Sequence, residues 1–218
     1  MIPEVKVCCI SSIDEAELAI TAGAKHLGLV GPMPSGPGII SLDEIKDLSH
    51  QLSKRINTWI LTSETSAEDI LQQYEYVQTS CIQIVDKISS DDLQILKTKL
   101  PKVKLVQVIH VYDETALSSA KQVEKFIDYL LLDSGNPKLK VKELGGTGRT
   151  HNWDISARIV KEIDVPVFLA GGLNPSNVQV AVKKVKPYGL DLCSGLRTEN
   201  NLDSYKLKIF FNHISNLS

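Results

Sequence analysis

Short apolar segments alternate with segments of helical periodicity along almost the whole chain. Apolar runs joined by amphipathic helices are typical of parallel strands that are covered on both faces. The predicted strands cover about residues 5–10, 26–30, 59–61, 81–85, 103–111, 127–132, 165–170 and 189–193. About eight such units predict an α/β fold, a (β/α)8 TIM barrel forming a single domain over residues 1–218. An open doubly wound sheet is the alternative, and the lack of a GxGxxG turn after the first strand disfavours it.

The charge and hydropathy of the chain narrow the classes of partner. A formal net charge of −2 without a basic cluster argues against nucleic acid as the main partner. No apolar run is long enough to cross a bilayer, and the N-terminus lacks the pattern of a signal peptide. We therefore expect a cytoplasmic protein with neither a membrane nor a nucleic acid as partner.

The cysteines and histidines suggest no metal site. The chain has five histidines and four cysteines, and neither set shows the spacing of a metal site or of a dense disulfide framework. In a reducing cytoplasm we expect all four cysteines to remain free thiols. They are Cys8, Cys9, Cys81 and Cys193.

The last two predicted strands both end in glycine turns, Gly171-Gly172 and Ser194-Gly195. Backbone N–H groups in such turns can approach a ligand closely, and a helix that begins after the turn favours a phosphate. We expect a helix after the first turn, capped by Asn174 and starting at the proline that follows. In a barrel these turns follow strands seven and eight, where phosphate commonly binds.

Asp133 ends an apolar strand that the barrel would bury. A carboxylate at the rim of an apolar interior is partly desolvated, which raises its pKa and makes it a candidate general acid. The other interpretation is that Asp133 caps the following loop by accepting backbone N–H bonds. The residues alone leave both interpretations open.

Cys8 and Cys9 lie at the end of the first strand. Because side chains alternate along a strand, we expect one thiol to face the interior and the other to face the helices. A thiolate beside a phosphate site could act as base or nucleophile. A buried, unreactive cysteine is the alternative.

Several motifs, in order along nearly the whole chain, resemble those of the phosphoribosylanthranilate isomerase family. The opening motif is the run KVCCIS, followed by AGAKHLG. Next come LLD and GGTGRTHNW, and the closing motifs are LAGGLNPSNV and DLCSG. They cover residues 6–11, 22–28, 131–133, 145–153, 169–178 and 191–195.

The resemblance implies a cofactor-free Amadori rearrangement of tryptophan biosynthesis, which converts an aminoaldose phosphate into an aminoketose. By resemblance, Asp133 protonates the ribose ring oxygen, and Cys8, as a thiolate, removes the proton from C2′. The partner would be a small phosphorylated sugar, and the protein a monomer or a homodimer. The phosphate would bind at Gly145, Gly146, Gly171, Gly172, Ser194 and Gly195.

The chain departs from the family pattern on the side that would hold the aromatic acid. Gly38 stands where the family usually has an arginine that contacts the anthranilate carboxylate. Gln107 replaces the usual lysine of the fifth strand, and Cys9 replaces the glycine after the catalytic cysteine. A glutamate common after Ser-Gly is missing near Arg197, and Val85-Asp86 stand in place of His-Gly.

These departures leave the aglycone and even the activity open. Arg149, or the amides of the loop from Gly36 to Gly38, could replace the missing arginine. One alternative is a related isomerase that acts on another phosphosugar. A second alternative is a barrel that binds a phosphosugar without catalysis, because the fold alone does not determine activity.

Overall fold

The computed structural model describes residues 2–135 and 150–217. Eight parallel strands close into a barrel in sequence order, because the first strand also pairs with the eighth. The closed barrel confirms the predicted (β/α)8 fold and rules out the open sheet. The strands are β1 Glu4–Val7, β2 His26–Val30, β3 Asn57–Thr62, β4 Cys81–Ile84, β5 Lys104–His110, β6 Tyr129–Asp133, β7 Val167–Leu169 and β8 Gly189–Leu192.

Eight helices alternate with the strands, as the periodicity predicts. They are α1 Ile13–Ala22, α2 Leu42–Leu52, α3 Ala67–Val77, α4 Ser90–Lys99, α5 Thr115–Val123, α6 Trp153–Glu162, α7 Val178–Val185 and α8 Ser204–Ser215. A short hairpin separates β8 from α8, with strands β9 Arg197–Thr198 and β10 Asn201–Leu202. No helix of the described residues is long and apolar enough to cross a membrane.

Local sequence signals account for most helix ends. Ser41 and Glu44 form a complete capping box at the start of α2, because each side chain bonds the other's backbone N–H. Gly23 ends α1 in a left-handed conformation with φ of 115°. The prediction for α7 is wrong in position: Asn174 starts a turn, and the helix begins only at Val178. The Asn174 side chain accepts the N–H of Ser176, which holds that turn outside the helix.

The barrel interior is filled unevenly from bottom to top. Aromatic rings fill the lower part: Trp59 packs edge-on against Phe168, with ring centroids 5.0 Å apart, and stacks on Tyr129 at 5.7 Å. The smaller Ala170 and Cys8 belong to the same interior cluster but follow the ends of β7 and β1. Aromatic side chains therefore fill the barrel interior away from the C-terminal ends of the strands. Space remains at those C-terminal ends, where barrel enzymes place their chemistry.

Candidate active site

A pocket opens at the C-terminal ends of the strands and brings together residues from both ends of the chain. Its lining includes six of the predicted site residues, namely Cys8, Gly36, Asp133, Gly171, Gly172 and Ser194. The other predicted positions Gly145, Gly146 and Arg149 lie outside the described residues. Gly38 and Gly195 contact residues that line the pocket, as shown below.

The two glycine turns make close backbone approaches. Gly171 and Gly172 have φ of 79° and 63°, the left-handed conformation that glycine adopts without strain. A Cβ atom on Gly195 would lie 2.0 Å from the carbonyl oxygen of Leu173, so only glycine fits there. Within the described residues, the N–H groups of Gly172 and Ser194 donate to no carbonyl oxygen. The turns therefore present backbone donors to the pocket, which suits an anion.

A buried ion pair lies beneath Cys8. Lys6 is fully buried, and its Nζ lies 2.9 Å from Oδ1 of Asp191. Both Lys6 Nζ and Cys8 Sγ lie against the backbone of Gly28, because a Cβ there would be 2.8 Å and 2.7 Å from these atoms. Burial alone would lower the pKa of Lys6, but the Asp191 carboxylate outweighs this and raises it. Lys6 therefore carries a positive charge beside the Cys8 thiol.

Neither Lys6 nor Asp191 is among the predicted site residues. The available signal was a charged residue between two apolar residues in each of two short, buried strand segments. Such a charge is rarely buried without a partner. Since β1 and β8 are neighbours in a closed barrel, Lys6 and Asp191 could have been paired from the topology.

Cys8 is not the low-pKa thiolate that the resemblance implied. Burial, with a smaller contribution from the charge of Asp191, raises the pKa of the Cys8 thiol to about 11. The charge of Lys6 lowers the pKa of Cys8 but does not offset the effect of burial, because Lys6 is itself paired with Asp191. The thiol is therefore neutral at pH 7 in this structure.

The surroundings of Asp133 bear on both of its predicted roles, loop cap and general acid. Its Oδ1 accepts the N–H of Ser134 at 2.7 Å, so the carboxyl caps the loop. Asp133 is also buried, and burial raises the pKa of its carboxyl, although the charge of neighbouring His110 and the Ser134 N–H lower it again. A carboxyl with a raised pKa is suited to act as a general acid.

Two expectations about the cysteines are wrong. Cys9 and Cys193 form a disulfide with Cα atoms 5.9 Å apart, so only Cys8 and Cys81 are free thiols. Cys9 also does not face the helices: it has φ of 64° and lines the same pocket as Cys8. The reason is that β1 ends at Val7, so the alternation of a strand no longer applies to either cysteine.

The disulfide residue Cys9 explains why Gly38 carries no arginine. A Cβ atom on Gly38 would lie 2.6 Å from Cβ of Cys9, well inside the contact distance. Gly38 also has φ of 69°, a conformation that side chains rarely adopt. The replacement of glycine at position 9 and the loss of arginine at position 38 are therefore sterically coupled.

A second ion pair missed by the sequence analysis holds the loop after β1. Arg197 Nη1 lies 2.6 Å from Oε1 of Glu15, and its Nη2 donates to the Cys9 carbonyl oxygen at 2.5 Å. Burial alone would raise the pKa of Glu15, but hydrogen bonds from Arg197 and from the Leu202 N–H outweigh it and lower the pKa. The pair joins α1, the Cys8–Cys9 turn and the hairpin after β8.

Comparison with known proteins identifies the family to which this chain is similar. The family model described as "N-(5'phosphoribosyl)anthranilate (PRA) isomerase" matches residues 5–213. The N-(5'-phosphoribosyl)anthranilate isomerase of Methanothrix thermoacetophila is 31% identical, over 96% of this chain and 97% of the relative. The protein of that name from Haloferax volcanii is 32% identical, over 92% of this chain and 87% of its own.

Solved structures show the same fold. The phosphoribosyl anthranilate isomerase of Thermotoga maritima has a TM-score of 0.83 at 24% identity, covering 98% of this chain and 99% of that one. A second structure, of phosphoribosyl anthranilate isomerase in complex with reduced 1-(o-carboxyphenylamino)-1-deoxyribulose 5-phosphate, has a TM-score of 0.81 at 22% identity with the same coverage. The barrel and its connections are thus shared over almost the full length of each chain.

Proposed function

Since the chain belongs to the N-(5'-phosphoribosyl)anthranilate isomerase family, we propose that Asp133 and Cys8 are the acid and the base of its Amadori rearrangement. The observation that carries this proposal is that both residues line one pocket together with the glycine turns after β7 and β8. A phosphosugar anchored by those turns would lie with its ribose between the carboxyl and the thiol. The substrate class, a small phosphorylated sugar, follows from the same arrangement.

The first step is ring opening at Asp133. The nitrogen lone pair of the substrate forms the C1′=N bond, the bond between C1′ and the ring oxygen breaks, and Asp133 gives its proton to that oxygen. Burial supports this role, because it keeps the carboxyl protonated to higher pH than in water. The products of this step are an iminium ion and the Asp133 carboxylate.

The second step is proton removal from C2′ by Cys8. A thiol with a pKa of about 11 is thiolate in roughly one molecule in 10⁴ at pH 7, so the base has to be generated during the reaction. The iminium ion adds a positive charge beside Cys8, and a nearby cation lowers a thiol pKa. Lys6 acts in the same direction. We therefore place the loss of the thiol proton to water after ring opening.

The remaining contacts concern the two ends of the substrate. We propose that the phosphate binds the amides of Gly171, Gly172, Ser194 and Gly195, with Gly145 and Gly146 completing the site. The carboxylate of the aromatic ring would be held by Arg149 or by the amides from Gly36 to Gly38, since position 38 has no room for a side chain. A cytoplasmic location and a monomeric or homodimeric state are part of the same proposal.

The test generates phosphoribosylanthranilate in situ from anthranilate and phosphoribosyl pyrophosphate and follows the loss of fluorescence. We expect Asp133→Asn and Cys8→Ser each to lower kcat by at least about 100-fold, the usual contribution of one acid or base. Cys81→Ser is the matched control, because this second free cysteine is buried but lies outside the pocket. Wild-type turnover in either pocket variant would refute the assigned roles.

If the wild type shows no turnover but binds a phosphate analogue, the two alternatives are favoured instead. These are an isomerase for another phosphosugar and a barrel that binds a phosphosugar without catalysis. An isomerase for another phosphosugar would then convert an aminoaldose phosphate that lacks the aromatic carboxylate. A binding barrel would convert neither substrate.

A further inference from the structure

His110 lies beside Asp133 at the mouth of the barrel, on the neighbouring strand β5. The two residues are direct partners in the parallel register of β5 and β6. Two residues earlier, Val108 and Leu131 are also partners, and both belong to the interior cluster. Because alternate residues of a strand share a face, His110 and Asp133 both face the interior at its open end.

The hydrogen bond that His110 makes determines which nitrogen carries the proton. Its Nε2 lies 3.1 Å from the carbonyl oxygen of Val85, and a carbonyl only accepts, so Nε2 is the donor. In the neutral ring Nδ1 is then an acceptor. Among the described residues, this Nδ1 is buried and has no hydrogen-bond partner. A buried nitrogen without a partner is costly, and protonation would turn it into a hydrogen-bond donor.

His110 also connects Asp133 to a second cavity. This cavity has a volume of about 570 Å³ and lies at the ends of β4 and β5. His110 lines it, whereas Asp133 lines the pocket described above. Polar side chains are part of the wall of this second cavity, and a cavity of this size has room for water, with which the imidazole can exchange a proton while the carboxyl faces the substrate. The other titratable side chains on the cavity wall are Asp86, Lys87, Tyr112 and Asp113.

We propose that His110 is a positioning residue for Asp133, and that its imidazolium stabilises the carboxylate left in the buried rim after ring opening. This inference rests on the proposed role of Asp133 as the acid. When Asp133 gives its proton to the ring oxygen, His110 takes up one proton from solvent at Nδ1. After Cys8 has taken the C2′ proton, Asp133 takes one proton from solvent and His110 releases its own, so both groups return to their starting forms.

The electrostatics of the rim agree with this geometry. The pKa of Asp133 is raised by burial, and among the opposing charges His110 acts most strongly, followed by the Ser134 N–H. The more distant charges of Asp191 and Lys6 act in opposite directions and belong to one ion pair. His110 is therefore the group best placed to determine how readily Asp133 gives up its proton.

The first experiment compares His110→Gln with the wild type in the isomerase assay over a range of pH. Glutamine can still donate to the Val85 carbonyl but cannot carry the charge. We expect kcat to fall on the order of 10-fold, with KM within twofold, as for the loss of one favourable charge contact. An acid must be protonated, so activity is lost as pH rises through its pKa. At pH values where His110 is protonated its charge lowers the pKa of Asp133, so in His110→Gln this pKa is higher there and the descending limb moves to higher pH.

Two controls separate this role from a structural one. His50→Gln, at an exposed histidine of α2, should leave the pH profile unchanged. In the Asp133→Asn background, His110→Gln should have no further effect, because His110 acts through that carboxyl. A His110→Gln profile that superimposes on the wild type, or full additivity of the two substitutions, would overturn the proposal.

A second measurement does not depend on turnover or on folding of a His110 variant. In protein labelled with ¹⁵N-histidine, nuclear magnetic resonance reports the titration and the tautomer of His110 directly. We expect the neutral ring to carry its proton on Nε2, and the His110 signals to differ in Asp133→Asn, because the two residues are register partners. His110 signals that are the same in both proteins, or a neutral ring protonated on Nδ1, overturn the inference on His110, whereas a wild type without isomerase activity overturns the proposed function instead.

Discussion

Two parts of the barrel mouth are built in opposite ways. The β1–β8 seam, formed by the residues that follow β1 and β8, is cross-linked by the Cys9–Cys193 disulfide and the Arg197–Glu15 ion pair. The β4–β5 rim, formed by the ends of those strands, instead holds polar atoms that lack partners among the described residues. They are Oε1 of Gln83, Oε1 of Gln107 and Nδ1 of His110.

The difference separates a fixed part of the site from a responsive part. The seam carries Cys8 and the phosphate turn at Ser194, both of which need an exact position. It is held by a disulfide and by an ion pair whose carboxylate has a lowered pKa and stays ionised at neutral pH. The rim carries His110, whose charge can change during the reaction. Unsatisfied buried groups are costly and are commonly retained where a ligand or a proton completes them.

Loss of the disulfide is the strongest test of the fixed seam. Cys9 and Cys193 are 184 residues apart, and closing a loop of this length stabilises the fold by about 5 kcal/mol in the chain-entropy description. We expect dithiothreitol to lower the free energy of unfolding by up to that amount, measured by urea denaturation. Cys81→Ser should respond to the reductant like the wild type, and equal urea midpoints with and without reductant would show that the seam does not depend on the bond.

Breaking the ion pair below Cys8 should have the next largest effect. Lys6→Met leaves the Asp191 carboxylate without its partner among the described residues, and removal of one member of a buried pair costs about 3–5 kcal/mol. Arg55→Met, which breaks the exposed pair with Glu17, is the control and should lower the free energy of unfolding much less, because solvent screens that pair. Similar losses in the two variants, measured by urea denaturation, would mean that the buried pair contributes no more than a surface pair.

A test of the steric coupling between Cys9 and Gly38 should show the smallest change in stability. This change should depend on which residue is present at position 9. Gly38→Arg should cost about 1–3 kcal/mol through overpacking against the Cys9 side chain. The cost should shrink in a Cys9→Gly background, and KM for phosphoribosylanthranilate should fall there if the arginine reaches the carboxylate.

Cys9→Ser is the matched background for this test, because it also removes the disulfide but keeps the Cβ atom that blocks position 38. We therefore expect the melting temperature of Cys9→Ser/Gly38→Arg to lie below that of Cys9→Gly/Gly38→Arg. Equal melting temperatures would show that the two positions are independent.

Local signals in the sequence were sufficient for most of the architecture. The alternation of apolar runs and helices predicts the eight units, and Ser41 with Glu44 and Gly23 mark helix ends that the structure confirms. These features depend on neighbours within a few residues, which is the range over which propensity, capping and periodicity act. The start of α7 was misplaced because Asn174 satisfies a turn as readily as a helix cap.

The sequence by itself also predicted that Cys8, Asp133 and the glycine turns after β7 and β8 lie together, since in a barrel the ends of all strands meet on one face. Only the tertiary structure decided their chemical states. The thiol pKa of Cys8, the disulfide of Cys9 and the unpartnered nitrogen of His110 all depend on burial and on partners distant in the chain. Desolvation and long-range contact are set by the packed fold, and no local pattern of residues encodes them.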